Sequence, residues 1–121
     1  MTLTEEVEII LAAINRRDAD HWISFFDDEA VLDLPEGRRV VGRDSLRDTL
    51  STLVLKHDLG LEDTVLMVDG AGFRVAVECT ISGRGGDRRT FSLPAVLVFE
   101  REDHLITRLS WLMSTPLNAE G

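Results

Sequence analysis

The chain has 121 residues, 44% hydrophobic and 29% charged, the size and balance of one folded domain with its own core. Its formal net charge of −9, with no Lys/Arg stripe to offset it, excludes a phosphate backbone as the natural partner. The single Cys79 reads as a buried inert thiol, and the apolar run from Val7 to Ile14 is too short to span a bilayer and lacks the positive flank of a secretory signal, so a cytoplasmic location is expected.

Thr2 and Glu5 stand at capping-box spacing, and Val7, Ile10, Leu11 and Ile14 follow at helical intervals, which predicts a first helix from about Leu3 to Arg17. Asp18 reads as the N-cap of a second, short helix carrying Trp22, Ile23, Phe25 and Phe26, with Asp27-Asp28-Glu29 as its solvated end. Ala30 to Leu34 reads as a short strand, Leu34-Pro35-Glu36-Gly37 as a turn, and Arg38 to Val41 as a small returning strand. Gly42 interrupts the chain. Arg43 or Asp44 then opens a third helix with Leu46, Leu50, Leu53 and Val54 on one side. From Leu59 onward four long β candidates are separated by turn signals at Asp69–Gly72, Gly83–Asp87 and Arg101–His104. Short turns between neighbouring strands imply an antiparallel meander. Helices followed by strands, with no linker and no repeat, predict a single α+β domain over residues 1–121, its three N-terminal helices packed on one face of a curved antiparallel sheet.

Alternation along the strands divides the sheet into two faces. Phe73, Val75, Val77, Cys79 and Ile81, then Phe91, Leu93, Ala95, Leu97 and Phe99, then Leu105, Thr107, Leu109, Trp111 and Met113 form the more apolar set, assigned to the helix-facing side. The opposite face keeps Val96, Val98, Ile106 and Leu112, which a solvated sheet does not need and a homodimer does.

The stretch "HWISFFDDEAVLDLPEG" running into "VVGRDSLRDTL" resembles the hallmark segment of SnoaL-like proteins, within the nuclear transport factor 2-like superfamily that also holds the ketosteroid isomerase-like proteins. "VDGAGFRVAVECTISG" is similar to their central hairpin and "HLITRLSWLMS" to their final strand. The resemblance implies a cone-shaped roll in which the sheet wraps around the helices, leaves a pocket between them, and pairs with a second copy through its outer face. The implied pocket would be lined by Trp22, Phe26, Leu34, Leu53, Val77, Leu93, Ala95, Trp111 and Met113 and would take a small apolar molecule. Without that fold the same residues read as plain core.

Two residues are candidates for catalysis. Asp33, between Leu32 and Leu34, would lose solvation if it faced the pocket, and its pKa would rise toward that of a useful base. In ketosteroid isomerase-like proteins the catalytic aspartate directly precedes a proline; here Leu34 does, and the offset turns Asp33 to the other face unless a bulge restores it. The alternative reading makes Asp33 a cap of the Pro-Glu-Gly turn. His57, after the third helix, is either a pocket acid or base or a cap of that helix. Steroid isomerisation is disfavoured, because the chain has no tyrosine for an oxyanion hole and Ala95 stands where the sheet acid would lie. No His, Cys or carboxylate spacing supports a metal, and the Gly83–Gly86 turn joins two strands and opens no helix, so no cofactor is expected. The sequence therefore points to a small-molecule pocket protein, either an isomerase, lyase or hydrolase working by acid–base chemistry or a non-catalytic binding or dimerisation module.

Overall fold

The computed structural model describes residues 1–114. Thr2 opens α1 (Leu3–Asn15) with a complete capping box: its hydroxyl accepts from the Glu5 amide at 3.1 Å, and the Glu5 carboxylate accepts from the Thr2 amide at 3.0 Å. Asp18 caps α2 (Ala19–Ile23) by accepting from the His21 amide. The chain then turns over Ser24 and Phe25 into β1 (Phe26–Asp33). The aromatic pair is thus divided, with Phe26 already on the strand and edge-on to Trp22. Asp27, Asp28 and Glu29, expected as a helix end, belong to β1; burial of Phe26 beneath the sheet outweighs the polar run that follows it. Asp28 is tied to Arg43 at 2.9 Å.

The proline turn closes through the Gly37 amide on the Leu34 carbonyl and leads into β2 (Arg39–Val41). Gly42 precedes α3 (Arg43–His57) at a φ of 103°, a left-handed conformation that suits glycine alone without strain. Four strands follow: β3 (Gly60–Val68), β4 (Arg74–Arg84), β5 (Thr90–Glu102) and β6 (Leu105–Met113). The sheet is curved and unclosed, in the order β2-β1-β6-β5-β4-β3. Its ladders are antiparallel except for β1 with β6, which run parallel and join the two halves of the fold.

The helices cover one face. α1 lies against β3 and β4, α3 against β1 and β2, and α2 contacts both helices. Val7, Ile10 and Ile14 of α1 and Leu46, Leu50 and Leu53 of α3 meet Leu32, Val75, Val77, Cys79, Ile81, Leu97, Phe99, Leu109 and Trp111 from the sheet. Alternation thus assigns the inner face of β4 and β5 correctly, but it fails on the first half of β6. Ile106, expected on the outer face, is fully buried, and Leu105, expected inside, is exposed. The cause is a bulge. Glu100 pairs with Arg108 and Arg101 with Ile106, so Thr107 is an extra residue on β6 and reverses the alternation below it. Phe73 lies before β4 begins and is exposed as well, so it does not share the inner face of that strand.

Candidate functional site

Between α1, α3 and the inner face of the sheet lies a narrow space of about 30 Å³, lined by Ile14, Leu50, Val54, Leu59, Leu61, Ile81, Leu97, Leu109 and Trp111. No ionisable side chain is among them. A second space of about 120 Å³, bordered by Ile14, Arg17, Ala19, Trp22, Ser51, Val54 and Leu55, opens between the three helices. Ile14 and Val54 border both. Helical geometry explains the wall: Leu50 and Val54 are one turn apart on α3, and Ser51, three residues before Val54, sits at the edge of the same stripe. Two residues of these walls carry a polar atom that is buried without a hydrogen-bond partner, Trp111 at its indole Nε1 and Ser51 at its hydroxyl.

Asp33 is elsewhere. It alternates with the buried Leu32 and Leu34, so its side chain points to the outer face of the sheet. Arg39 grips it with two hydrogen bonds, Nε to Oδ1 at 2.7 Å and Nη2 to Oδ2 at 3.1 Å, and Arg108 Nη2 approaches Oδ2 at 3.0 Å. The hydrogen bond from Arg39, reinforced by the charges of Arg39 and Arg108, holds the carboxyl below the ordinary aspartate range. The condition for a raised pKa, that Asp33 face an apolar pocket, is not met: the offset from Pro35 turns it outward, where it meets two guanidinium groups. It does not cap the proline turn either. The network continues across the sheet: Arg108 reaches Glu100 at 3.5 Å, and Glu100 holds Arg74 at 3.1 Å. Charges of alternating sign thus cross β2, β1, β6, β5 and β4.

His57 is 2% exposed at the end of α3, where Asp58 and not His57 supplies the left-handed cap. Its Nδ1 lies 2.9 Å from the Arg84 carbonyl, and since a carbonyl can only accept, Nδ1 carries the hydrogen. Nε2 is buried with no partner. Gly83 makes this contact possible: a Cβ there would stand 2.6 Å from the His57 carbonyl oxygen. Asp33 and His57 are not brought together, and neither borders the two spaces described above.

The profile of the SnoaL-like domain matches residues 7–109. The chain belongs to the SnoaL-like family. The domain is 27% identical to a proposed polyketide cyclase of Xanthomonas campestris pv. campestris, with a TM-score of 0.82 over 90% of this chain and 87% of that one. It is 26% identical to a proposed polyketide cyclase of Pseudomonas putida KT2440, with a TM-score of 0.83 over 98% and 94% of the two chains. A cystatin-fold protein of Novosphingobium aromaticivorans, 20% identical, aligns with a TM-score of 0.79 over 93% of this chain and 98% of its own. No curated protein matches the sequence at a significant level. The SnoaL-like fold, of the polyketide cyclase type, is suited to binding a small molecule.

Of the lining residues expected in this SnoaL-like domain, Trp111 borders the inner space and Trp22 the outer one. Phe26, Leu34, Leu53 and Val77 are packed into the core, and Leu93 is half-buried. Ala95 and Met113 border a shallow groove at the sheet rim, together with Glu78, Pro94 and Leu112. The inner wall owes more to the helices than expected, through Ile14, Leu50 and Val54. Their periodicity marked them as buried, and nothing in it separates a residue that touches a neighbour from one that faces a gap. Among the described residues, no three His, Cys, Asp or Glu side chains gather to hold a metal, and no helix is long and apolar enough to cross a membrane.

Proposed function

We propose that this SnoaL-like protein binds a small, neutral, apolar molecule between its helices and the inner face of its sheet, and that binding rather than proton transfer by Asp33 is its primary activity. The observation that carries this reading is the character of the wall: nine apolar or aromatic side chains and no ionisable one around the inner space. An apolar space with a few polar atoms is the usual form of a small-molecule site. The likeness to proposed polyketide cyclases supports a ring-bearing carbonyl compound or a related molecule as the ligand. The test is a panel of apolar ketones, ethers and hydrocarbons scored by melting temperature and by emission from Trp22 and Trp111. The reading requires at least one compound to raise the former and alter the latter, and it fails if the whole panel leaves both unchanged.

A second reading, acid–base catalysis, keeps His57 as its candidate: its Nε2 is buried with no partner, although His57 borders neither interior space. His57→Gln would abolish turnover of a bound ketone under this reading and leave its binding intact. Turnover equal to that of the wild type would exclude it.

Assembly belongs to the same proposal. Leu112 is 56% exposed on the outer face, and Val65 and Met67 of β3, opposite Glu78 and Ala76, extend that apolar surface toward the sheet edge. Val96 and Val98 lie between them, half-buried. The charge row from Arg39 to Arg74 borders this patch, with both signs present for a second copy to match. A twofold homodimer through this face follows as the expected assembly.

A further inference from the structure

The two interior spaces differ in how they meet solvent. In the outer one Ile14, Trp22 and Val54 are buried, whereas Arg17, Ala19 and Ser51 are half-buried and Leu55 is 67% exposed. Its depth is therefore at Ile14 and Val54, which it shares with the inner space, and its mouth is at Arg17 and Leu55. A guest reaching the inner space by this route passes between the ends of α1 and α3.

That mouth is bridged. α1 and α3 make almost no direct contact with each other, and α2 packs on both. Their ends are joined by an ion pair: Arg17 Nη2 lies 2.7 Å from Asp58 Oδ1, while Arg17 Nη1 donates to the Asn15 carbonyl at 2.9 Å. Arg17 stands just beyond α1, and Asp58 is the cap of α3. Both are left-handed, with φ of 62° and 48°, a conformation uncommon outside glycine. The rest of each junction is fixed separately. The Asn15 side chain exchanges two hydrogen bonds with the Leu61 backbone, at 3.0 and 2.8 Å, and His57 Nδ1 donates to the Arg84 carbonyl. Both helix ends are thus anchored to the sheet without the ion pair, so breaking it frees a side chain and does not release a helix. An exposed pair of this kind shifts an equilibrium by only roughly two- to fivefold. That is too weak to hold a fold together and suits a closure that opens often.

We infer that the Arg17–Asp58 pair is a latch across the entrance to the interior: paired, the arginine side chain covers the outer space, and unpaired it swings clear and admits a small neutral guest. The inference rests on the ligand-binding reading above and adds to it the route of entry and the residues that control it. Asp58 is not itself a wall of the space, so its effect on entry passes through Arg17.

The experiment is collisional quenching of Trp22 by acrylamide, a small neutral molecule that reports access without being a ligand. Trp22 is 2% exposed and borders the outer space, and Trp111→Phe leaves it the sole emitter. In that parent, Asp58→Gly removes the carboxylate and keeps the left-handed cap, because glycine adopts that φ freely. It is expected to raise the quenching rate constant about twofold or more, and added salt is expected to move the parent in the same direction. Thr2→Ala, which weakens α1 at its other end, is the stability control and should leave quenching unchanged. If Trp111→Phe folds poorly, the same comparisons are made with both tryptophans present. Equal quenching in Asp58→Gly and its parent, at low and high salt, would overturn the latch. An equal rise in Thr2→Ala would overturn it too, by showing that general loosening admits the quencher. The outcome is separable from that of the ligand panel. A rise confined to Asp58→Gly beside an inert panel would keep the latch and remove the ligand-binding reading, and unchanged quenching beside a bound ketone would do the reverse.

Discussion

Asp33 illustrates how far a single residue's role depends on what stands across the sheet. Its neighbours Leu32 and Leu34 suggest a desolvated carboxylate, and alternation alone turns it away from them toward Arg39 and Arg108. The guanidinium pair makes the charged form the favoured one. Asp33→Asn is therefore expected to lower stability near neutral pH by about 1 kcal/mol, a magnitude suited to a partly exposed pair. The pH dependence has a definite sign. A carboxyl whose pKa falls on folding adds stability above its unfolded value of about 3.9, and that stability is lost as the pH drops through the lower folded value. The difference in melting temperature between the wild type and Asp33→Asn should accordingly be largest at pH 6–7 and shrink below about pH 4. A difference that grew on acidification would mean the ion pairs do not form in solution. The sequence contained the aspartate and both arginines, but Arg108 is far from Asp33 along the chain and only the β1–β6 ladder makes them neighbours. Ser51 was missed for a related reason: a serine at the margin of an apolar helical stripe looks like ordinary surface until the residues opposite it are known.

At the scale of elements the helices were read closely, because their signals are local. The Thr2–Glu5 capping box, the Asp18 cap and the stripe from Leu46 to Val54 each act within a few residues, and each forms as its spacing requires. Thr2→Ala should cost about 1 kcal/mol in chemical denaturation, since it removes the acceptor of the Glu5 amide. The strands were found but not fully resolved. Thr107 carries no signal that marks it as an extra residue, and the bulge follows from how β5 and β6 pair. The junction of α3 with β4 offers a sharper check. A methyl group at position 83 would meet the His57 carbonyl oxygen at 2.6 Å, a Leu59 methyl at 2.9 Å and the Phe91 ring at 3.0 Å. Gly83→Ala is expected to destabilise the fold by about 1–3 kcal/mol by forcing α3 from the strand. Gly70→Ala, which meets nothing within 4 Å, serves as the comparison and should change little. Equal unfolding midpoints in urea for the two variants would show that α3 can give way freely.

For the whole molecule, composition and element order were enough for the fold class, since three amphipathic helices and a meander have few ways to bury their apolar sides together. They could not supply the parallel joint between β1 and β6, because parallel pairing of distant strands leaves no turn to read. The proposed assembly has a direct test at this scale. Light scattering at micromolar concentration should give the mass of two chains. Leu112→Lys should shift it to that of one, by placing a charge within the apolar patch. A wild-type protein that stays monomeric would leave Val65, Met67 and Leu112 without the partner proposed for them.

The placement of β6 also bears on how the chain acquires its shape during synthesis. The last described strand to leave the ribosome lies in the interior of the sheet, with β1 on one side and β5 on the other. Until it emerges, β1 has only the three-residue β2 as a partner, and its long edge is open. A nascent chain that stalls before residue 105 therefore has its sheet in two unjoined parts, linked only through the helix layer. The β3–β5 hairpins can form early from near neighbours, whereas the joining of the halves must wait for contacts between the two ends of the described chain. Newly made protein would then be most open to capture by chaperones, or to edge-to-edge association, in the interval just before its final strand is complete.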